Sequence, residues 1–227
     1  MTDSRFRSRE TADGERNAAA VSRRWPLISG VAALVLVALL GAIIAYRANN
    51  LPFEFDTEWM DEVIEHRSPL WNAPALLMNY LGGGILGVFV VPIVIIAVLC
   101  GMRRFWAALY FTVATVLSAA IVQLLKNLFD RPRPEDILVI ADIGSFPSGH
   151  VANAATMAVV LGFIAQRTWV WACGIAYAVL MMASRTYLGA HWVSDTVGGL
   201  VLGAAVAVIV WAPLAHRLHL ERQRRAR

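Results

Sequence analysis

Long apolar runs separated by short polar breaks dominate the chain. Six runs are long enough, or nearly so, to cross a bilayer: about Leu27 to Tyr46, Leu81 to Cys100, Phe105 to Leu125, Val151 to Ala165, Trp169 to Ser184 and Trp192 to Ala212. A spanning helix takes about 20 mostly apolar residues. The fourth and fifth runs are short, so their ends are expected to extend into the polar residues beside them. The pattern predicts an all-α polytopic membrane protein, six transmembrane helices in a bundle. An even number of spans puts both termini on one side.

Between the first two runs the pattern changes. Asp56 is placed to cap a short helix on which Trp59, Met60, Val63 and Ile64 form an apolar stripe opposite Asp61, Glu62 and Glu65. Such a helix would lie on the membrane surface, and an irregular acidic loop fits the segment equally well. Pro69, Pro74 and the run Gly82-Gly83-Gly84 are expected to break the approach to the second span. The organisation expected is an Arg-rich segment over 1–26, a membrane domain over 27–212 with an outer loop over 47–80, and an Arg-rich tail over 213–227.

Composition strengthens the membrane reading. The chain of 227 residues is 58% hydrophobic and 16% charged, with mean hydropathy +0.58, whereas soluble domains carry roughly a quarter charged residues. Two cysteines, Cys100 and Cys173, exclude a disulfide scaffold and a thiolate zinc site. Both lie near the arginine-rich ends of their runs and read as packing residues.

Charge sets the expected orientation, because short arginine-bearing loops stay in the cytoplasm. Arg5, Arg7, Arg9, Arg16, Arg23 and Arg24, the pair Arg103 and Arg104, Arg167, and the tail residues Arg217, Arg222, Arg224, Arg225 and Arg227 fall on one face. That face is expected to be cytoplasmic, in a bacterial-type plasma membrane. The other carries Arg47, Arg67, Lys126, Arg131, Arg133 and Arg185 with most of the acids. The basic tails lack interleaved aromatics and a nucleic-acid-binding pattern, so no nucleic acid partner is expected. The first run is too long for a signal-peptide core and reads as an uncleaved anchor.

Lys126 is the only lysine among 20 basic residues. It ends the third run, and Asp130-Arg131-Pro132-Arg133-Pro134 follows. Pro147-Ser148-Gly149-His150 opens the fourth run, Ser184 and Arg185 end the fifth, and His191 and Asp195 begin the sixth. All fall on the outer face, at a depth where unpaired charges are costly and usually functional. Lys126, Arg133 and Arg185 suit a phosphoryl group's oxygens. Ser148 and Gly149 open a helix whose N-terminal amides attract anions; Ser148 either caps that helix or touches the phosphate, and Gly149 permits close backbone approach.

His191 and Asp195 are four apart, on one face if a helix begins near His191. The carboxylate would orient the imidazole, making His191 a nucleophile toward phosphorus and giving a phosphohistidine intermediate. His150, protonated and with a pKa near neutrality, would supply the leaving oxygen with a proton. The three cations would replace a metal, so no metal or cofactor is expected. Taken singly, each of these residues has a plain structural explanation, such as a snorkelling helix-end cation; their joint placement does not. Asp130, Arg131, Asp136 and Asp142 read as ordinary loop charges, and His66, His216 and His219 as surface residues.

At these residues the sequence resembles the type 2 phosphatidic acid phosphatase family, integral membrane lipid phosphatases related to vanadium haloperoxidases. The motifs are Lys126-x6-Arg133-Pro134, Pro147-Ser148-Gly149-His150 and Ser184-Arg185-x5-His191-x3-Asp195. The resemblance spans roughly Leu81 to Ala212. It implies a six-helix fold, metal-independent hydrolysis, His191 as nucleophile, Asp195 as its partner, His150 as acid, and Lys126, Arg133, Ser148, Gly149 and Arg185 as phosphate ligands. Arg131-Pro132 also fits a shorter spacing; the family spacing selects Arg133. The expected substrate is a phosphorylated membrane lipid, of the undecaprenyl diphosphate, phosphatidic acid or phosphatidylglycerophosphate type. An anion or lipid transporter is the alternative from another class, although transporters tend to hold such cations near the midplane.

Overall fold

The computed structural model describes residues 3–46, 51–140 and 142–226, with side chains described over 24–46, 51–140 and 142–224. The side chains of Arg5, Arg7, Arg9, Arg16, Arg23, Arg47, Arg225 and Arg227, used in the charge argument, lie outside these ranges. The described residues form helices and no strand. In chain order these are α1 (Asp3–Tyr46), α2 (Glu54–Glu65), α3 (Pro69–Gly82), a π-turn (Leu86–Val90), α4 (Val91–Gly101), α5 (Phe105–Phe129), α6 (Gly149–Ala165), α7 (Thr168–Tyr187) and α8 (Val193–Ala226).

Three helical stretches are long and apolar enough to cross a membrane: Arg24–Tyr46 of α1, α5, and Val193–Arg224 of α8. The expected second span, Leu81 to Cys100, is the π-turn with α4 and only the last two residues of α3. The rest of α3 is a helix where an outer loop over 47–80 was expected, and the two pieces, bent by 45°, can together make a fourth span. The glycine run supplies the break, since α3 stops at Gly82 and Gly84 takes φ +58. Pro69 and Pro74 do not break the chain. Pro69 begins α3, where no amide is needed, and Pro74 lies inside it. α6 and α7 extend beyond the expected fourth and fifth runs, into Gly149 and Tyr187. At 17 residues α6 rises only about 25 Å, against about 30 Å of hydrocarbon. The sixth run extends as one helix through Pro213 to Ala226.

The core forms where α6 packs against α5, α7 and α8, with α1 laid along α8. Tyr110 and Phe111 from α5, Val160 and Ile164 from α6, and Leu202 and Val206 from α8 are buried together. Small residues make the α6–α8 approach possible: a Cβ added at Gly203 would stand 2.2 Å from the Ala152 carbonyl oxygen. The remaining faces are apolar and open, including Leu36, Leu39 and Ile43 on α1, Val94 and Val98 on α4, and Ile175 and Val179 on α7. So extended an apolar surface is what a bilayer covers.

The helix ends sort into two sets. At one end, Arg104 donates to the Ile164 carbonyl at 3.1 Å and pairs with Glu221 at 3.9 Å, while Arg222 also donates to Ile164. The loop before α5, the end of α6 and the last turns of α8 therefore meet. The opposite end holds Lys126, Arg133, Arg185 and His191, together with Arg67, which donates to the carbonyls of Tyr187 and Asp136.

Candidate active site

Four local structures deliver the site. α5 ends with Lys126 in its last turn, the loop after it carries Arg131, Arg133 and Asp142, α6 opens with Ser148, Gly149 and His150, and α7 closes with Arg185. His191 stands in the connection between α7 and α8, two residues before α8 begins. The His191–Asp195 spacing is therefore met at a helix entrance rather than within a helix. Asp195 reaches back to accept the Trp192 amide at 2.9 Å, as an acid in a helix first turn does.

On the Nδ1 side of His191, Asp195 Oδ2 stands at 3.6 Å, beyond hydrogen-bond distance. On the other side, Arg133 Nη1 is 3.4 Å from Nε2. The carboxylate thus faces one nitrogen and Arg133 the other. Burial, and then the charges of Arg185, Arg133 and Lys126, hold the His191 imidazole well below its ordinary pKa. A neutral ring at neutral pH follows.

Lys126, Arg133 and Arg185 are brought to one cleft. Lys126 Nζ donates to the Gly144 carbonyl at 2.6 Å and to Asp142 Oδ1 at 3.3 Å. Arg133 Nη2 donates to the same Asp142 oxygen at 2.7 Å and to Gly144 at 2.9 Å. Arg185 donates to Asn79 Oδ1, and its Nε makes no bond within the protein. Ser148 precedes α6 at the N-cap position, yet its hydroxyl does not cap; it is buried and unbonded. Gly149 would carry a Cβ with only Val122 nearby, at 3.5 Å. His150 lies against the glycine break, where a Cβ at Gly83 would stand 2.0 Å from its Nε2.

Three loop and surface residues have roles that the sequence reading missed. Asp142 is no ordinary loop charge, for it bridges Lys126 and Arg133. Partial burial works to raise its carboxyl, but those two cations outweigh the effect and hold it below the usual carboxylate range. Arg131 is not an ordinary loop charge either. Its guanidinium is fully buried, donating to Asp195 Oδ1 at 2.5 Å, Ser194 Oγ at 2.7 Å and Asp56 Oδ2 at 2.8 Å, with the Phe53 and Trp192 rings at 6.0 and 5.8 Å.

Asp56 does not occupy the N-cap of α2. Phe53 does, and Asp56 is the buried acid in the first turn that reaches back to the Phe53 amide at 3.3 Å. Asp56 also accepts the Ser194 amide at 2.9 Å and hydroxyl at 2.6 Å. Removing one partner of such a buried pair costs about 3–5 kcal/mol. The stripe expected on α2 divides, with Met60 buried and Trp59 and Ile64 exposed. The double Arg-Pro was a visible signal for Arg131; nothing local distinguished Asp56 or Asn79.

A cavity of about 660 Å³ joins this cleft to the helix faces. Its polar end is lined by Lys126, His150, Arg185, His191 and Asp142, and its apolar length by Val88, Phe89, Pro92, Ile96 and Val116. Membrane helices around a cation-lined cleft that opens onto an apolar groove define a class: an integral membrane protein built to hold an anionic group on an apolar molecule. Residues 107–217 match the model of the PAP2 superfamily, and phosphatidylglycerophosphatase B of Bacillus subtilis is 30% identical over 157 residues, 63% of this chain and 75% of that protein. The chain belongs to the PAP2 superfamily.

An undecaprenyl-diphosphatase of Sulfolobus acidocaldarius is 37% identical over 79 residues, 35% of this chain. The match spans 34%, about a third, of that relative's length. The crystal structure of a transmembrane PAP2 type phosphatidylglycerolphosphate phosphatase from Bacillus subtilis superposes with TM-score 0.71 at 26% identity, covering 80% of this chain and 94% of that one.

Proposed function

We propose that this protein is a lipid phosphate phosphatase that cleaves a phosphomonoester or diphosphate headgroup at the outer face of a bacterial-type plasma membrane. One observation carries the reading: a single cavity lined by Lys126, Arg185, His150 and His191 continues between apolar side chains of α4 and α5. A phosphate headgroup meets the cations while its hydrocarbon tail remains among apolar faces. The substrates in the relatives' names, undecaprenyl diphosphate and phosphatidylglycerophosphate, both have this form.

In this reading Lys126, Arg133 and Arg185 hold the phosphoryl oxygens and offset the charge that grows on them. Ser148, through its unbonded hydroxyl, and the amides at the start of α6, at Gly149, add donors. His191 Nε2 attacks phosphorus as the bond to the leaving oxygen breaks, and His150, which takes up a proton as the phosphate anion enters beside it, gives that oxygen the proton. The ring, now a phosphoimidazolium with hydrogen on Nδ1, is stabilised by Asp195. Water then attacks phosphorus as His150 takes its proton, the P–N bond breaks to return the neutral imidazole, and phosphate leaves. The cations supply the charge neutralisation, so turnover needs no metal. The chain crosses the membrane six times with both termini in the cytoplasm; the bent α3–α4 pair serves as one span and the short α6 as another.

The test is phosphate release by the detergent-purified protein in EDTA, from undecaprenyl diphosphate, phosphatidic acid, phosphatidylglycerophosphate and a soluble phosphate ester. His191→Ala is expected to abolish release, and Lys126→Ala, Arg133→Ala and Arg185→Ala each to lose at least ~10²-fold. Release from no lipid, or release that survives without His191, defeats the reading and favours a transporter.

A further inference from the structure

Asp56 comes from α2, outside residues 107–217 that match the family model, yet it shares a buried hydrogen-bonded ring with Asp195. Arg131 Nη1 bonds Asp195 Oδ1 and Arg131 Nη2 bonds Asp56 Oδ2, at 2.5 and 2.8 Å. Ser194 closes the ring through its amide and hydroxyl on Asp56 and by accepting Arg131 on its own oxygen. All four residues are at most 4% exposed. We propose that Asp56 is a positioning residue for the reaction: acting through Arg131, it sets how much negative charge Asp195 offers to His191. The proposal rests on the reading of His191 as the nucleophile.

Charge links Asp56 to His191. Asp195 must accept from Nδ1 and offset the positive charge the ring acquires as the P–N bond forms. A guanidinium bonded to Asp195 alone would neutralise that carboxylate and repel the forming phosphoimidazolium. A second carboxylate on the opposite nitrogen of the same guanidinium restores one net negative charge to the group, delivered through Asp195 Oδ2, the oxygen facing His191. Geometry works in the same direction. Asp56 holds the α8 entrance through Ser194, and Asp195 is the next residue, so Asp56 also fixes the rotation of the carboxylate.

The groups around His191 are Lys126 from α5, Arg133 and Asp142 from the following loop, His150 from α6, Arg185 from α7 and Asp195 from α8. Asp195 is the member of this set that bonds the Asp56–Arg131 pair. Removing the Asp56 charge therefore disfavours the imidazolium by one route, Arg131 and Asp195.

The experiment compares wild type with Asp56→Asn in the full-length purified protein, reading kcat, KM and the pH profile of kcat on a short-chain lipid phosphate. Asparagine is isosteric and keeps one acceptor oxygen, enough for Arg131 and the Ser194 hydroxyl, which share Oδ2, while its amide nitrogen replaces the Oδ1 that accepts the Ser194 amide. The expected result is kcat reduced at least ~10-fold with KM within about 3-fold, as for loss of a residue that orients another. The acid limb should shift to lower pH, because an imidazolium without that negative charge is harder to form.

Asp56→Glu should recover part of the rate and return the limb toward wild type. In an Asp195→Asn background, Asp56→Asn should add little further loss. The limb belongs to the active molecules, so it reports even when only part of the sample folds. An unmoved limb with loss that only tracks the folded fraction, a fully additive double variant, or an Asp56→Asn protein that never folds would each overturn the proposal. His191→Ala is the control for the underlying reading. Wild-type turnover that this change abolishes leaves the nucleophile in place, whatever Asp56 does.

Discussion

A carboxylate between Lys126 and Arg133 takes the donors that a phosphate oxygen would take. Asp142 Oδ1 accepts from both, while its side chain remains 60% exposed, so it competes with an incoming anion from an open loop. Asp142→Asn is expected to tighten inhibition by inorganic phosphate by about 3- to 10-fold, equivalent to about 1 kcal/mol, with kcat little changed; inhibition constants measured on both proteins check this. Because Lys126 and Arg133 keep Asp142 ionised below the usual carboxylate range, the competition should not fade between pH 5 and pH 8. His191 sets a second pH effect. Its imidazole is held neutral in the folded protein, so the unfolded chain takes up that proton first as pH falls below the unperturbed histidine value of about 6.5. The contribution to stability is full above that pH and lost progressively below it. Thermal unfolding of wild type and His191→Gln across pH 5 to 8 should converge at the acid end.

Among the elements, the break after α3 matters most to the chemistry. Gly83 leaves room for His150, whose Nε2 would lie 2.0 Å from any added Cβ; Gly83→Ala should cut turnover at least ~10-fold, as displacement of a proton donor does, while leaving the melting temperature in detergent near wild type. Gly203 leaves room for a neighbouring backbone, and here the order reverses. Gly203→Leu drives side chain into the Ala152 carbonyl and should destabilise by about 1–3 kcal/mol or more, read as a lower melting temperature before any specific loss of turnover. The glycine run was legible as a break. The prolines misled because Pro69 falls at a helix start, a position defined by where the preceding loop ends. The sequence left α2 open between a helix and an irregular loop, and its apolar stripe did not settle which side it buries: Asp56 turns inward because Arg131 waits there.

At the scale of the whole molecule, the two ends of the bundle differ in charge chemistry. Arg104, Glu221 and Arg222 are tied together at one end, and the cation-lined cleft occupies the other. The proposed orientation has a direct test in a protein whose Cys100 and Cys173, both free thiols, are replaced by alanine. A cysteine placed at Ile140, an exposed loop position on the cleft side, should react with an impermeant thiol reagent in intact cells, and one at Arg103 should react only after lysis. The opposite pattern would move the chemistry into the cytoplasm.

The sequence by itself determined that this is a helical membrane protein, because apolar runs and arginine-bearing ends depend only on local composition and on the bilayer as solvent. It also marked Lys126, Arg133, Ser148, Gly149, His150, Arg185, His191 and Asp195 as candidates, because costly polar residues stood out at the ends of apolar runs. Tertiary structure alone decided which charges meet. Asp56, Arg131 and Asp195 are far apart in the chain and carry no shared local pattern, and Asp142 looks like any loop acid until the chain folds back over Lys126. Pairing across a folded core depends on packing angles and loop paths, which no single stretch of residues encodes. The depth of the cleft and its opening onto α4 and α5 follow for the same reason.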